Sequence, residues 1–337
     1  MPARNEQDCI GRCLESLVRQ QGIDFRITVV DDGSTDQTRA IAESFAGVRV
    51  ISAAEAVAGA TGKCNALICG AFQVKAEWLL FTDADTFHCP GSLAAAVNEA
   101  EAQGADLLSY SPEQEVVTWS EHMLMPVVFA ELARIYPPAR VNDPQDPIAA
   151  ANGQYILVRR AVYEKLGGHA AVANKVLEDV ELARLFKAAG HKIWFRQGTG
   201  LVKTRMYRSF STMVEGWTKN LALLFANPIG LAAMRALEFL IIAGGLCAGI
   251  VLEARHHKLL GLALVLAGII VYLNFLTRIL RAHFSWKATM VAIFGLPLFC
   301  FLLLRSYVHS RVRGAVSWKG RTYPHSGTHA GVDSSIH

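Results

Sequence analysis

Charge is what this sequence has least of. Only 18% of its 337 residues are Asp, Glu, Lys or Arg, against about a quarter in ordinary soluble domains. The deficit speaks against a purely soluble protein, and the positive mean hydropathy agrees. No apolar stretch follows Met1, so no signal peptide is expected. Seven scattered cysteines exclude a small disulfide scaffold and suit a reducing compartment. Cys9 and Cys13 lie four apart, but no second ligand pair follows, so they read as core. No Gly-x-Gly-x-x-Gly follows a strand pattern, which argues against a dinucleotide oxidoreductase. The basic residues form no stripe with a recognition motif, so no nucleic-acid partner is expected. Disorder is excluded by the 52% of residues in the hydrophobic set.

What charge there is divides unevenly. Residues 229–337 hold eleven Lys/Arg and three Asp/Glu, a net of +8. Residues 1–228 hold twenty-two and twenty-six, a net of −4. The basic part is also the apolar part. Segment 237–252 carries one charge, Glu238, and segments 259–276 and 288–304 carry none. Each approaches the roughly 17–25 residues a spanning helix needs. Arg255/Lys258, Arg278/Arg281/Lys287 and Arg305/Arg311/Arg313 flank these runs. The pattern predicts a membrane region over 229–310, then a basic and polar tail over 311–337 that is disordered after 322. Residues 205–225 are amphipathic, with Met206, Phe210, Met213, Val214, Trp217 and Leu221 at helical spacing. That stretch lies on the membrane surface or covers the sheet.

Residues 1–228 alternate strand and helix patterns. Residues 8–21 have a helical apolar period, and Ile27–Val30 is a β-branched run. Ser34 is placed to cap a helix over 36–45. Val48–Ile51 and Trp78–Phe81 read as strands, and 91–103 as a helix. The alternation predicts an α/β fold: a Rossmann-like, mostly parallel sheet with helices on both faces, followed by C-terminal transmembrane helices. Ligands of such sheets bind at the carboxyl ends of the strands. Two strands here end in paired acids, Asp31/Asp32 and Asp83/Asp85, which places carboxylates on one rim.

Asp83-Ala84-Asp85 is a hard-oxygen pair of the kind that shares Mg²⁺ or Mn²⁺ with substrate phosphates. A metal there neutralises charge on a diphosphate leaving group. Lys63 adds a second positive contact. Glu178-Asp179 opens a helical pattern, where carboxylates are favoured electrostatically and one is able to accept a proton. Asn152-Gly153-Gln154 precedes a strand pattern and either lines an acceptor site or makes a turn.

Pro2-Ala3-Arg4-Asn5-Glu6, Val29 to Asp36, Gly62-Lys63 with Asn65-Ala66, Thr82 to Asp85 and Glu178-Asp179 occur in this order. Together they resemble the family 2 glycosyltransferases of GT-A fold, over residues 2 to about 220. Trp318-Lys319-Gly320-Arg321, Gly167-Gly168-His169 and Gly216 to Asn220 are similar to a membrane-anchored branch that includes carotenoid and hopanoid-pathway enzymes. The resemblance implies that Pro2, Arg4, Glu6 and Asp32 hold the nucleotide of a UDP-sugar, with Asp31 supporting the loop. It implies that Asp83 faces ribose and metal, that Asp85 binds the metal, and that Asp179, beside Glu178, is the general base of an inverting transfer. His169 and Trp217 are expected at the acceptor, although Trp217 also reads as an interfacial anchor.

Two departures from the family pattern bear on function. Processive members carry Gln-x-x-Arg-Trp after the base, whereas Met213-Val214-Glu215-Gly216-Trp217 keeps only the Trp. That favours transfer of one sugar over polysaccharide synthesis. The family also places an apolar strand before the Pro-Ala-Arg-Asn-Glu motif, so the native start is expected upstream of Met1. The expected partners are a UDP-sugar, a hydroxylated lipid-like acceptor and the cell membrane, with the catalytic domain cytoplasmic. Three full spans would carry the basic tail outside, against the positive-inside tendency. One run is therefore expected to be re-entrant or interfacial; Pro297 and Arg235/Glu238 mark the candidates. The rival readings are a polysaccharide synthase and a non-catalytic nucleotide-sugar or lipid-binding scaffold.

Overall fold

The structure is a computed structural model that describes residues 1–55, 60–312, 315–318 and 321–324. The chain starts with β1 (Pro2–Ala3), α1 (Ile10–Val18), β2 (Ile27–Asp31), α2 (Thr38–Glu43), β3 (Val48–Ser52) and α3 (Gly62–Phe72). There follow β4 (Trp78–Phe81), β5 (Thr86–His88), α4 (Ser92–Gln103), β6 (Leu107–Ser111), β7 (Glu113–Gln114), α5 (Trp119–Ile135) and α6 (Pro138–Val141). Next come β8 (Ile156–Arg159), α7 (Arg160–Lys165), α8 (Glu178–Ala188), β9 (Ile193–Gln197), β10 (Val202–Thr204) and α9 (Phe210–Leu224). The apolar part is α10 (Pro228–Ala254), α11 (Lys258–Leu280), α12 (Trp286–Val291) and α13 (Gly295–Val312), then a hairpin of β11 (Ala315–Trp318) and β12 (Arg321–Pro324).

The β-branched run forms β2 as expected. It pairs in parallel with β1 and β3, with Val30 opposite Pro2 and Ile51. A second sheet has the order β4-β8-β6-β9, and a third small sheet joins β5, β10 and β7. The parallel expectation holds for β1-β2-β3, β6-β9 and β7-β10. It does not extend to β8, which runs antiparallel to both β4 and β6. Ile10, Leu14 and Leu17 of α1 join Val29 and Leu93 in one core cluster. Leu107, Ile156, Leu182 and Phe186 centre another. Cys9 and Cys13 are buried, as expected of core positions.

Ser34 does not cap α2. Its hydroxyl accepts the Asn5 amide at 3.1 Å, and the Thr38 amide donates to Asp36 at 3.0 Å. Asn5 in turn accepts from the Thr35 amide at 2.9 Å, and the Gln7 amide reaches Asp36 at 3.2 Å. The two loops expected to hold the nucleotide thus lock together, and the cap was diverted to that contact.

Pro228–Leu252, Lys258–Leu280 and Trp286–Arg311 are long and apolar enough to cross a membrane. α10 and α11 pair closely through glycine: a Cβ on Gly249 would sit 2.8 Å from the Gly261 carbonyl oxygen. The third run differs. It breaks into a 3₁₀ turn at Ala292–Phe294, and half of its apolar window is buried within the protein. Gly295 abuts Met123 of α5, Cys300 Sγ meets the Ala232 carbonyl near the start of α10, and Ser306 Oγ accepts from Ala222 of α9 at 2.8 Å. α13 therefore lies against the helices nearest the α/β part. The amphipathic helix α9 buries Met213, Trp217 and Leu221 on α5 and α13, and does not cover the sheet.

Arg235 and Glu238 do not interrupt α10. They close a buried ring of charge with Glu131 of α5 and Arg278 of α11. Its contacts run from 2.8 to 3.3 Å. The polar tail beyond residue 324 lies outside the described residues.

Candidate active site

A cavity of about 380 Å³ opens where β1 and β4 end. Pro2, Arg4, Glu6, Asp32, Lys63, Asp83, Asp85, Glu178, Asp179 and Trp217 all line it. Most of these residues, far apart in sequence, are brought together because they follow a strand end or open a helix; Trp217 comes from the middle of α9. Asp31 lies just outside and supports its loop, accepting from the Ser34 amide at 3.1 Å. Arg4 donates to the Asp32 carbonyl at 2.6 Å and lies 3.6 Å from its carboxylate.

Lys63 is the hub. Its ammonium lies 2.9 Å from Asp83 and 3.1 Å from Glu178. Burial alone would lower its pKa; Asp83, Glu178 and Asp179 reverse that and raise it well above the ordinary value. Burial pushes Glu178 up, but Lys63 and Lys219 more than offset it, and the carboxyl is held below its usual range.

Asp179 sits at the first turn of α8 with both oxygens engaged. The Gly153 amide donates to Oδ2 at 2.9 Å, and its neighbour Val180 to Oδ1 at 2.8 Å. A Cβ on Gly153 would stand 3.0 Å from Lys63 Nζ and 3.4 Å from Asp179 Oδ2, so only glycine lets the chain approach without displacement. Burial, then the charge of Glu178, raises the Asp179 carboxyl to about 6. Asp85 is raised further, to about 7, by burial and then by Asp83 and Glu6.

Gln154 lies on the Asp85 side of the cavity. Its Nε2 lies 3.4 Å from Asp85 and donates to Thr204 Oγ1 at 3.0 Å, while its main-chain carbonyl accepts from Thr82 at 2.9 Å. Asn152 makes the turn, its side chain accepting the Gln154 amide at 3.0 Å. Asn152-Gly153-Gln154 is a turn, as one reading expected, and it also lines the cavity.

His169 does not reach the cavity. It is 1% exposed, hydrogen-bonded to the Tyr163 hydroxyl at 2.9 Å and edge-on to Phe81, and burial lowers its pKa to about 4. Gly168, the second glycine before it, makes room for the Tyr163 ring. Trp217 does line the cavity, wedged between Phe129 and Tyr207, and its Nε1 has no hydrogen-bond partner among the described residues. α5 had no motif to mark it. It supplies Phe129, Leu132 and Ala133 to the cavity lining, and Tyr136 follows just after it.

The α/β fold and its lysine-bridged rim of acids suit more than one chemistry, and the class is settled by the proteins this chain matches. Residues 1–167 match the family described as Glycosyl transferase family 2. The chain carries a family 2 glycosyltransferase domain and is a glycosyltransferase. It is 28% identical over 340 residues to the 4,4'-diaponeurosporenoate glycosyltransferase of Staphylococcus aureus strain MRSA252, covering 96% of this chain and 87% of that protein. The same enzyme of strain USA300 is 27% identical over 339 residues, with the same coverage. The fold is similar to that of a Pyrobaculum calidifontis mannosyltransferase solved with GDP-Man and Mn²⁺, at TM-score 0.51 and 18% identity. That match covers 93% of this chain and 86% of the other.

Proposed function

We propose that this glycosyltransferase moves a single sugar from a UDP-sugar to a lipid-like acceptor at the membrane, with inversion at the anomeric carbon. One observation carries the reading: the lysine-bridged acids and apolar residues of α5 and α9 line one cavity. Arg4 and Asp32 bind the nucleotide, and Lys63 orients Asp83 towards it. Asp179 takes the proton from the acceptor hydroxyl as that oxygen bonds to the anomeric carbon and the bond to the diphosphate breaks. The Gly153 and Val180 amides hold its carboxylate in place for that step. Displacement from the face opposite the leaving group inverts the configuration, through an oxocarbenium-like transition state.

Asp85 and Asp83 suit a divalent cation. Asp85 is buried against two other acids, Asp83 and Glu6, and a cation relieves the cost of its charge. Mg²⁺ or Mn²⁺ there would supply charge neutralisation for the departing diphosphate. The Staphylococcus relatives are named for transfer to a carotenoid, which supports an extended lipid-like acceptor.

The chain is read as multi-pass in the cell membrane, with its catalytic domain cytoplasmic. α10 and α11 form the spanning hairpin, and α12 with α13 forms an interfacial layer beneath the catalytic domain. The contacts of α13 with α5 and α9 support this, because they keep β11 and β12 on the catalytic side. The arrangement also leaves Arg305 and Arg311 cytoplasmic, as the positive-inside tendency favours.

The test uses membranes containing the chain, labelled UDP-sugars, Mn²⁺ or Mg²⁺ and total lipid extract, beside Asp179→Asn. Label entering one discrete lipid, and lost with EDTA or in the variant, is the expected result. Label in a polymer would establish a synthase instead. UDP-sugar binding without transfer in any combination would establish a scaffold.

A further inference from the structure

The cavity has two kinds of lining: charged side chains, and an apolar set of Phe129, Leu132 and Ala133 of α5, Tyr136 just after it and Leu224 of α9. Phe129, Leu132 and Leu224 pack on the same core cluster as Phe275 of α11 and Phe299 of α13. The apolar lining is therefore continuous with the layer that joins the catalytic domain to the membrane helices. Trp217, 3% exposed, lines the same cavity.

We propose that the cleft between α5 and α9 binds the apolar chain of the acceptor, an amphiphile with one extended tail. The polar head lies at Asp179, and the tail passes Ala133 and Leu132 towards α13. This rests on the reading of the cavity as the transfer site. It adds the route by which a bilayer molecule reaches that site, and it makes α5 the element that selects acceptors by shape. Ala133 is the narrow point, since its small side chain leaves room that a larger one would fill.

The test reads binding, so it does not depend on turnover. The full chain in phosphatidylglycerol vesicles is irradiated with palmitic acid carrying a terminal diazirine, and the labelled peptides are mapped. Label on α5 and α9 residues facing the cavity is expected. It falls about tenfold in Ala133→Trp, a change of roughly 1.4 kcal/mol. Leu224→Trp, on α9, gives the same loss. Binding of UDP with Mn²⁺, measured on the same samples, is unchanged in both variants. Label confined to bilayer-facing residues such as Leu240, Leu259 and Ile270, or unaltered by both substitutions, would overturn the proposal. Absence of UDP binding in the unaltered chain would instead sink the nucleotide-sugar reading and leave the peptide map to judge the cleft.

Discussion

Lys63 and Glu178 stand 115 positions apart in the chain, yet their charged atoms lie 3.1 Å apart, with Asp83 on the lysine's other side at 2.9 Å. One ammonium thus ties the loop after β4 to the start of α8. It joins the acids expected at the nucleotide and metal to those expected at the acceptor.

Replacing Lys63 with alanine leaves Asp83, Glu178 and Asp179 facing one another without that cation. Transfer should fall by at least about a hundredfold, comparable to loss of a preorganised electrostatic contact. UDP affinity, measured by calorimetry with Mn²⁺ present, should fall with it. Unaltered turnover in Lys63→Ala would contradict the role of the bridge.

Asp179 yields a paired prediction about activity and stability. As a base it must be ionised, so the rate should decline as pH falls through about 6. Its folded pKa is raised above the ordinary aspartate value of about 3.9, so the native state binds more protons than the unfolded chain between those two values. Stability from this group therefore decreases as pH rises through that window and stays lower above it. Asp179→Asn should lose about 10²–10⁴ in rate and gain thermal stability at pH 7. A variant less stable than the parent at that pH would contradict the burial argument.

His169→Phe tests a residue that the sequence suggested and the structure withdrew from the cavity. Its hydrogen bond to Tyr163 is lost, at a cost of about 1 kcal/mol in stability. The Michaelis constant for the acceptor should not change. A rise in that constant alone would restore His169 to the acceptor site.

The charge ring predicts a different kind of sensitivity. Glu131 is fully buried between Arg235 and Arg278. Glu131→Gln removes the charge that both guanidinium groups face and should destabilise the fold by about 3–5 kcal/mol. Thermal unfolding in detergent measures this. A melting temperature within a degree of the parent would show that the ring contributes little.

Much of the site could be read in advance because the acids follow strand patterns or open a helix pattern. Asp32, Asp83, Asp85 and Asp179 each occupy a position whose local geometry aims it at one rim. α5 was not legible. Its 17 residues carry a capping box and an internal Pro126, but no motif that separates a cavity wall from an ordinary core helix. His169 misled for the same reason. A histidine after two glycines looks alike whether it faces a ligand or packs on Tyr163.

The sequence by itself determined the alternation of strands and helices, the order of the acids and the three apolar runs. Periodicity and turn chemistry are local, and a single chain displays them. Only the tertiary structure decided that Lys63 bridges two pairs of acids and that Gly153 holds Asp179. It likewise decided that α13 lies under α5 and α9, and that Glu131 meets Arg278. Each of these joins residues distant in the chain. Their contact depends on how the layers pack against one another, which no local pattern encodes.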